Sequence, residues 1–363
     1  MLSRMADDSD NSAPLTRHSW NLVQKMLSDV TEIVMRDAES EAELAEGLRV
    51  VAKVSALCAQ LSVEADPDHP HFFDMCTPTR MVGGPNPDGS YHLAMIDGTR
   101  AYRVTGTRGT TAYLGLQVLA GTGLTPRRMA AYVSDTELPA GAFTLVFSHH
   151  KPADIGDSLW IEIPEDASSI VVREYIADPT TEVPATLDIS AVELPPPTPV
   201  TDAAVADQFT AMAWTILKLT TLHRTIAPEL LSAPNTLITA EAAALGTAET
   251  TPDNLYMLGM FRLEPDQTLL LKFEAPQTRY WNVALENIWH ECIEPRRRHS
   301  SVTNKGVTPD ADGVVRIAIS AGDFGYGHWL DTGGRHRGFV VVRWLDNPAA
   351  PTVEVTLHKG DNA

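Results

Sequence analysis

The sequence predicts a mainly β protein with α additions: a sheet body assembled largely from hairpins, an N-terminal helical hairpin and a helical insertion. Three observations carry that prediction. The turn dipeptides Asp88-Gly89 and Asp97-Gly98 separate short runs rich in β-branched and aromatic residues, as tight hairpins require. Apolar residues recur at three- and four-residue steps in two stretches near the N-terminus. Consecutive prolines in LPPPTPV, residues 194–200, can continue neither a helix nor a central strand, and a second helical passage follows them.

Composition narrows the partners. In 363 residues, 28 Lys and Arg stand against 47 Asp and Glu, and the net charge of −19 repels nucleic-acid backbones and anionic lipid surfaces, so neither is expected as a partner. The hydrophobic fraction of 44% is that of a folded globular chain. No apolar run reaches the ~18 residues of a membrane span, and MLSRMADDSDNSAP lacks the apolar core of a secretion signal, so a cytoplasmic location is expected. Cys58, Cys76 and Cys292 have no C-x-x-C spacing and read as reduced thiols.

Residues 1–14 are polar and unpatterned and read as a disordered tail. Residues 15–63 form the helical hairpin: Trp20, Val23, Leu27, Val30 and Val34 make one apolar stripe, and Leu44, Leu48, Val51, Val54, Leu57 and Leu61 another. Ser40 and Glu43 have the spacing of a capping box between them. Residues 64–193 read as the first half of the sheet body. Their opening, DPDHPHFFD, gathers Asp66, Asp68, His69, His71 and Asp74, but the spacing is loose and prolines intervene, so a connecting loop is expected rather than a metal site. Residues 194–253 are a proline-rich connector and the insertion, in which Val205, Phe209, Met212, Ile216, Leu219 and His223 trace a helix. The stretch 228–253 reads as irregular, with a short helix around 241–245. Residues 254–358 supply the second half of the body.

The candidate site lies between Arg279 and Trp344, where aromatic, acidic, amide and basic side chains are most concentrated. Taken as one continuous strand, 280–291 places Trp281, Asn287, Trp289 and Glu291 on one face and Asn282, Glu286 and His290 on the other. Mixed faces of this kind border a cavity. On such a strand Glu286 and His290 stand about 13 Å apart, too far to act as a pair unless the strand bends. Glu291 and Asn287 beside two indoles have the composition of a ring-stacking site. The run Arg296 to His299, with Arg297 the chosen contact, could grip an anionic group. The glycine-rich GDFGYGHWLDTGGRHRG offers His328 and Asp331 as base and acid, although Asp331 also fits a turn former and Trp329 a plug over the end of the sheets. The candidate catalytic residues are therefore Glu286, Glu291, His328 and Asp331. The candidate ligand contacts are Trp281, Asn282, Asn287, Trp289, His290, Arg297, Trp329 and Arg343. The DADG turn at 310–313 lacks the later ligands of a calcium loop, nucleotide, zincin and serine-hydrolase signatures are absent, and no metal or organic cofactor is expected.

These residues also carry a resemblance. DGSYHLAMIDGTRAYRVTGTRG, DSLWIEIPEDASSIVVREYIADP, RYWNVALENIWHE, the DADG turn, HWLDTGG and FVVVRW together resemble the proteins grouped as domain of unknown function 1214, over roughly 85–190 and 255–346. The resemblance implies an antiparallel β-sandwich of jelly-roll type; it supplies no activity. The functional expectation is an enzyme, hydrolase- or lyase-like, using acid–base chemistry on a small hydroxylated or glycosylated molecule. The alternative is a non-catalytic β-sandwich that binds a carbohydrate or lipid-like ligand. A third reading is a structural subunit whose exposed aromatics form a homo-oligomer interface.

Overall fold

The computed structural model describes residues 14–121, 127–197, 199–226, 228–241, 250–346, 349 and 351–359. The tail expected at 1–14 lies, but for Pro14, outside them, as does most of the short helix expected at 241–245.

Two helices open the described chain, α1 (Leu15–Asp37) and α2 (Glu41–Ala59), and a π-turn, Gln60–Glu64, follows. Ser40 caps α2 by accepting from the Glu43 amide at 3.2 Å, while the Glu43 carboxylate accepts from the Glu39 amide, one residue earlier than a standard capping box. Nine strands follow: β1 (Phe73–Asp74), β2 (Gly89–Met95), β3 (Tyr102–Thr107), β4 (Tyr113–Ala120), β5 (Arg128–Ser134), β6 (Ala142–Ser148), β7 (Leu159–Glu162), β8 (Ala167–Tyr175) and β9 (Thr186–Ala191). Next come α3 (Asp202–Thr220), a 3-10 turn over Leu222–Thr225, and α4 (Pro228–Ser232). Nine further strands complete the described chain: β10 (Ile238–Glu241), β11 (Asn254–Arg262), β12 (Gln267–Glu274), β13 (Trp281–Glu286), β14 (Ser301–Thr303), β15 (Val314–Ser320), β16 (His328–Asp331), β17 (Arg337–Leu345) and β18 (Glu354–Lys359). The stretch 228–253, expected to be irregular, thus contains α4 and β10.

The mainly β fold expected from the sequence is present, but its partition differs. Instead of two halves sharing one sandwich, each span closes its own pair of sheets. The first forms β1-β2-β8-β4-β5 against β7-β6-β3-β9, and the second β10-β11-β17-β13-β14 against β16-β15-β12-β18. Advancing every label of the first sandwich by nine gives the second, so the fold is an internal repeat, down to one parallel pair in each, β6 with β7 and β15 with β16. The physical reason is burial: each span carries enough apolar side chains to fill a core between its own sheets. Leu114, Leu116, Phe147 and Val172 lie in the first core; Phe261, Leu271, Val283 and Trp344 lie in the second.

The outer faces of the two five-stranded sheets meet. Tyr113, Tyr175 and Tyr280 stack through this contact with ring centroids 4.9 and 5.2 Å apart. Asn86 donates to the Tyr280 hydroxyl at 2.6 Å, and Asn282 donates to Asn86 at 2.7 Å and to Asp88 at 3.1 Å. The helices form a third layer across one side. Helices α1 and α3 run parallel: Asp202, in the first turn of α3, caps the first amides of α1, and Asp37, ending α1, pairs with His223 and Arg224 beyond α3. Between Arg224 and His223, the Asp37 carboxyl is held down to about 2. None of the described helices is long and apolar enough to cross a membrane.

Candidate functional site

The site grows from the end of β13. Along this strand Trp281, Val283 and Leu285 enter the second core, while Asn282, Ala284 and Glu286 face the first sandwich. At Glu286 the strand ends, short of the Glu291 expected for it. Asn287 caps the turn that follows, accepting from the Trp289 and Glu291 amides at 3.0 and 3.1 Å. The chain doubles back so that Cys292 bridges Glu286, and His290 takes a left-handed φ of 56°. That conformation is uncommon for a residue with a Cβ and persists only where its surroundings impose it. The reversal removes the expected 13 Å separation: His290 Nδ1 lies 2.8 Å from Glu286 Oε2.

A cavity of about 250 Å³ encloses this pair, between the two five-stranded sheets and under the helices. Leu57, Leu219, Ile226, Leu230, Leu258 and Val341 give it an aliphatic wall, and His290 lies flat on Phe339, centroids 4.4 Å apart. Its polar end holds Glu286, His290 and Arg343. Arg343 is 4% exposed, donates to the Gly84 carbonyl at 3.0 Å and stands 3.8 Å from Glu286. Burial opposes its charge, but Tyr91, Glu286, Tyr256 and Tyr175 hold its pKa above the usual arginine value. Gly84, at φ +69°, lets the backbone pass within contact of the Glu286 carboxylate, where an added Cβ would lie 3.6 Å from Oε2.

The internal repeat extends into the cavity. Tyr256 of β11 pairs across the ladder with Arg343 of β17, and at the equivalent place Tyr91 of β2 pairs with Arg173 of β8; all four line the cavity. Arg173 donates to the Thr250 carbonyl at 3.2 Å. Burial raises the Tyr91 and Tyr175 hydroxyl pKa values, Tyr91's well above the ordinary one, so both remain neutral donors. Burial also pushes the Cys76 thiol, on the cavity wall, up to about 12 and the Cys292 thiol well up, so neither is a ready thiolate nucleophile.

Three buried polar atoms at this end have no hydrogen-bond partner: Glu286 Oε1, His290 Nε2 and Arg343 Nη1. Buried polar atoms are nearly always satisfied, so a concentration of orphans in one cavity marks space for a polar group that the chain itself does not supply.

The remaining sequence candidates fall elsewhere. Trp281 packs edge-on against Phe273 in the second core, and Trp289 is wedged between Gly47 and the helices with its Nε1 donating to the Glu43 carbonyl at 2.9 Å, so the expected stacking platform is core packing. Asn282 belongs to the contact between sandwiches. Glu291 turns the other way, into a cleft with Arg49, Lys53 and Arg297, and Asn287 donates to Glu46 at 3.2 Å. His328, Trp329 and Asp331 sit on β16, at the edge of the other sheet. There His328 Nε2 meets the Thr308 carbonyl at 3.2 Å, Trp329 donates to the Ser320 carbonyl, and Asp331 pairs with Arg298 and accepts from the Gly333 amide at 2.6 Å as a turn former. Asp68 and Asp74 pair with Arg100 and His92, and among the described residues no group of three or more His, Cys, Asp or Glu is placed to hold a metal ion. Sequence reading missed Tyr91, Arg173, Tyr256 and Phe339; the only available signal was the recurrence of Tyr and Arg at matching places in the two spans.

Residues 260–349 match the family described as protein of unknown function (DUF1214). The chain is similar to the crystal structure of an uncharacterised protein from Burkholderia cenocepacia, with 27% identity and a TM-score of 0.88 over 95% of this chain and 98% of that one. It shares its fold more distantly with the VPA0106 protein from Vibrio parahaemolyticus, at 12% identity and a TM-score of 0.52 over 87% of this chain and 100% of that one. No curated protein matches the chain.

Proposed function

We propose that the cavity between the sandwiches binds a small, largely apolar molecule bearing one hydroxyl or enolisable carbonyl group, and that His290 acts on it as a general base oriented by Glu286. The observation that supports this reading is His290 Nε2, buried and without a partner, on a ring whose other nitrogen meets a carboxylate. A carboxylate acceptor fixes the proton on Nδ1 and leaves the Nε2 lone pair facing outward, the arrangement that makes an imidazole a base. Arg343 Nη1 is the complementary donor for an oxygen on which negative charge develops. The aliphatic wall accounts for the apolar body, and a volume of about 250 Å³ restricts its size. Proton abstraction of the lyase kind fits better than hydrolysis through a covalent intermediate, because the nearby thiols are held protonated. With both indoles packed away, nothing here favours a stacked sugar ring.

A thermal-shift panel of small phenols, alicyclic alcohols and cyclic ketones tests the reading, followed by NMR detection of solvent deuterium entering the bound ketone. Binders should raise the melting temperature. Glu286→Gln should keep affinity within a few-fold and slow deuterium exchange by about 10²–10⁴-fold, the usual weight of a positioned base. Binding without exchange in the wild type would favour the non-catalytic reading, for which the mostly aliphatic wall speaks. No stabilisation by any member would contradict both.

A further inference from the structure

A second concavity, of about 570 Å³, opens on the other side of the 287–291 turn, between α2 and the turn at 294–298. In a chain of net charge −19 it is lined by five cations, Arg49, Lys53, Arg296, Arg297 and Arg335, against two carboxylates, Glu291 and Glu294. The local pairing leaves much of that positive charge uncompensated. Arg335 is matched by Glu46 at 2.5 Å, and Glu294 is engaged by Arg298, outside the cleft, at 2.8 Å. Glu291, 4% exposed on the floor, is shared by Lys53 and, at 3.3 Å, by Arg49, so one carboxylate faces two cations. Arg296 and Arg297 are exposed at the lip with no ion pair among the described residues, whereas Arg100, Arg108, Arg224, Arg262, Arg279 and Arg316 each hold an acid. Glu294, at a left-handed φ of 40°, starts the turn, and its carbonyl accepts from the Arg297 and Arg298 amides at 2.8 and 3.0 Å, so the backbone presenting the two arginines is fixed.

We propose that this cleft is a binding site for a phosphate group, free or as a small monoester, held by Arg296 and Arg297 from the turn and Arg49 from α2. Planar guanidinium groups engage tetrahedral oxyanions through paired donors, and the surplus of cations matches a dianion better than a monocarboxylate. The site is separate from the cavity of Glu286 and His290 and does not depend on what that cavity binds.

Isothermal titration of the full-length protein at low salt with inorganic phosphate, pyrophosphate and acetate tests the proposal. Saturable phosphate binding is expected, with pyrophosphate tighter and acetate silent. The double variant Arg296→Ala/Arg297→Ala should weaken phosphate by about tenfold or more, and because both side chains are exposed and make no ion pair among the described residues it should keep the wild-type melting temperature without ligand. Glu286→Gln should bind phosphate as the wild type does, which separates this site from the cavity. Phosphate bound equally by the double variant, acetate bound as well as phosphate, or no saturable heat would overturn it.

Discussion

At the scale of residues, the site turns on a strand that ends five residues earlier than its pattern suggests, at Glu286 rather than Glu291. Trp281, Val283 and Leu285, facing the second core, alternate with Asn282, Ala284 and Glu286 along a strand buried on both faces. Beyond Glu286 the letters continue to alternate, but Asn287 takes both the Trp289 and Glu291 amides and the chain reverses. A side-chain cap of this kind has no period, which is why the sequence located Glu286, His290 and Arg343 without showing that they converge. Glu291 and Glu286, on opposite faces of the expected strand, also lie on opposite sides of the turn. Gly84 gives the pairing a test. Its φ of +69° costs an L-residue about 1–2 kcal/mol, and a methyl there would stand in ordinary contact with the Glu286 carboxylate, 3.6 Å from Oε2, taking up space in the cavity that Gly84 lines. Gly84→Ala should therefore lower unfolding free energy by about that amount and also weaken ligands in the cavity, checked by urea denaturation and thermal shift on one preparation; an unchanged stability would show that the loop relaxes freely.

At the scale of elements, the helices were legible and their role was not. Apolar spacing marked α1, α2 and α3, and the spacing of Ser40 and Glu43 marked the cap, yet nothing in a periodic stripe says which surface it will cover. The partner proves to be Trp289, an indole that reads as a ligand platform and instead anchors the helical layer to the turn carrying His290. Gly47 is the point of closest approach: a Cβ would sit 2.5 Å from Val34 Cγ1 and 2.8 Å from Trp289 Cε2. In an exposed helix, Gly→Ala gains up to ~1 kcal/mol. Here overpacking should outweigh that gain, and Gly47→Ala should destabilise by about 1–3 kcal/mol in chemical denaturation; a stabilised variant would mean that the helical layer is not closely packed on the turn.

At the scale of the whole molecule, the repeat is the main feature that the sequence concealed. Two spans with the same strand order share little beyond turn dipeptides and tyrosine–arginine pairs, because many different apolar side chains fill a sheet-to-sheet core equally well. The cavity exists because the two units meet through their five-stranded sheets, in a contact that combines stacked tyrosines with buried hydrogen bonds. Asn282 supports it by donating to Asn86 and Asp88. Burial raises the Asp88 carboxyl above its ordinary 3.8, opposed by Asn282, Ser301, Arg343 and Tyr280. A carboxylate with a raised folded-state pKa costs stability above that pKa, and the cost disappears as pH falls toward the unfolded value. Asn282→Ala removes one compensating donor, so it should destabilise by about 1–3 kcal/mol at neutral pH, with the deficit shrinking as the pH is lowered through the Asp88 titration. Denaturation midpoints of wild type and variant at several pH values measure this, and a deficit that grows in acid would contradict it.

The central claim is that Glu286 holds His290 with a free Nε2 lone pair facing the cavity. Long-range proton–nitrogen NMR of the imidazoles in ¹⁵N-labelled protein, with the His290 signals identified by their loss in His290→Gln, reads it directly. The account predicts a neutral ring protonated on Nδ1, with an Nε2 resonance that moves when a ligand from the thermal-shift panel binds. A ring protonated on Nε2, or an Nε2 resonance indifferent to every bound ligand, would contradict it.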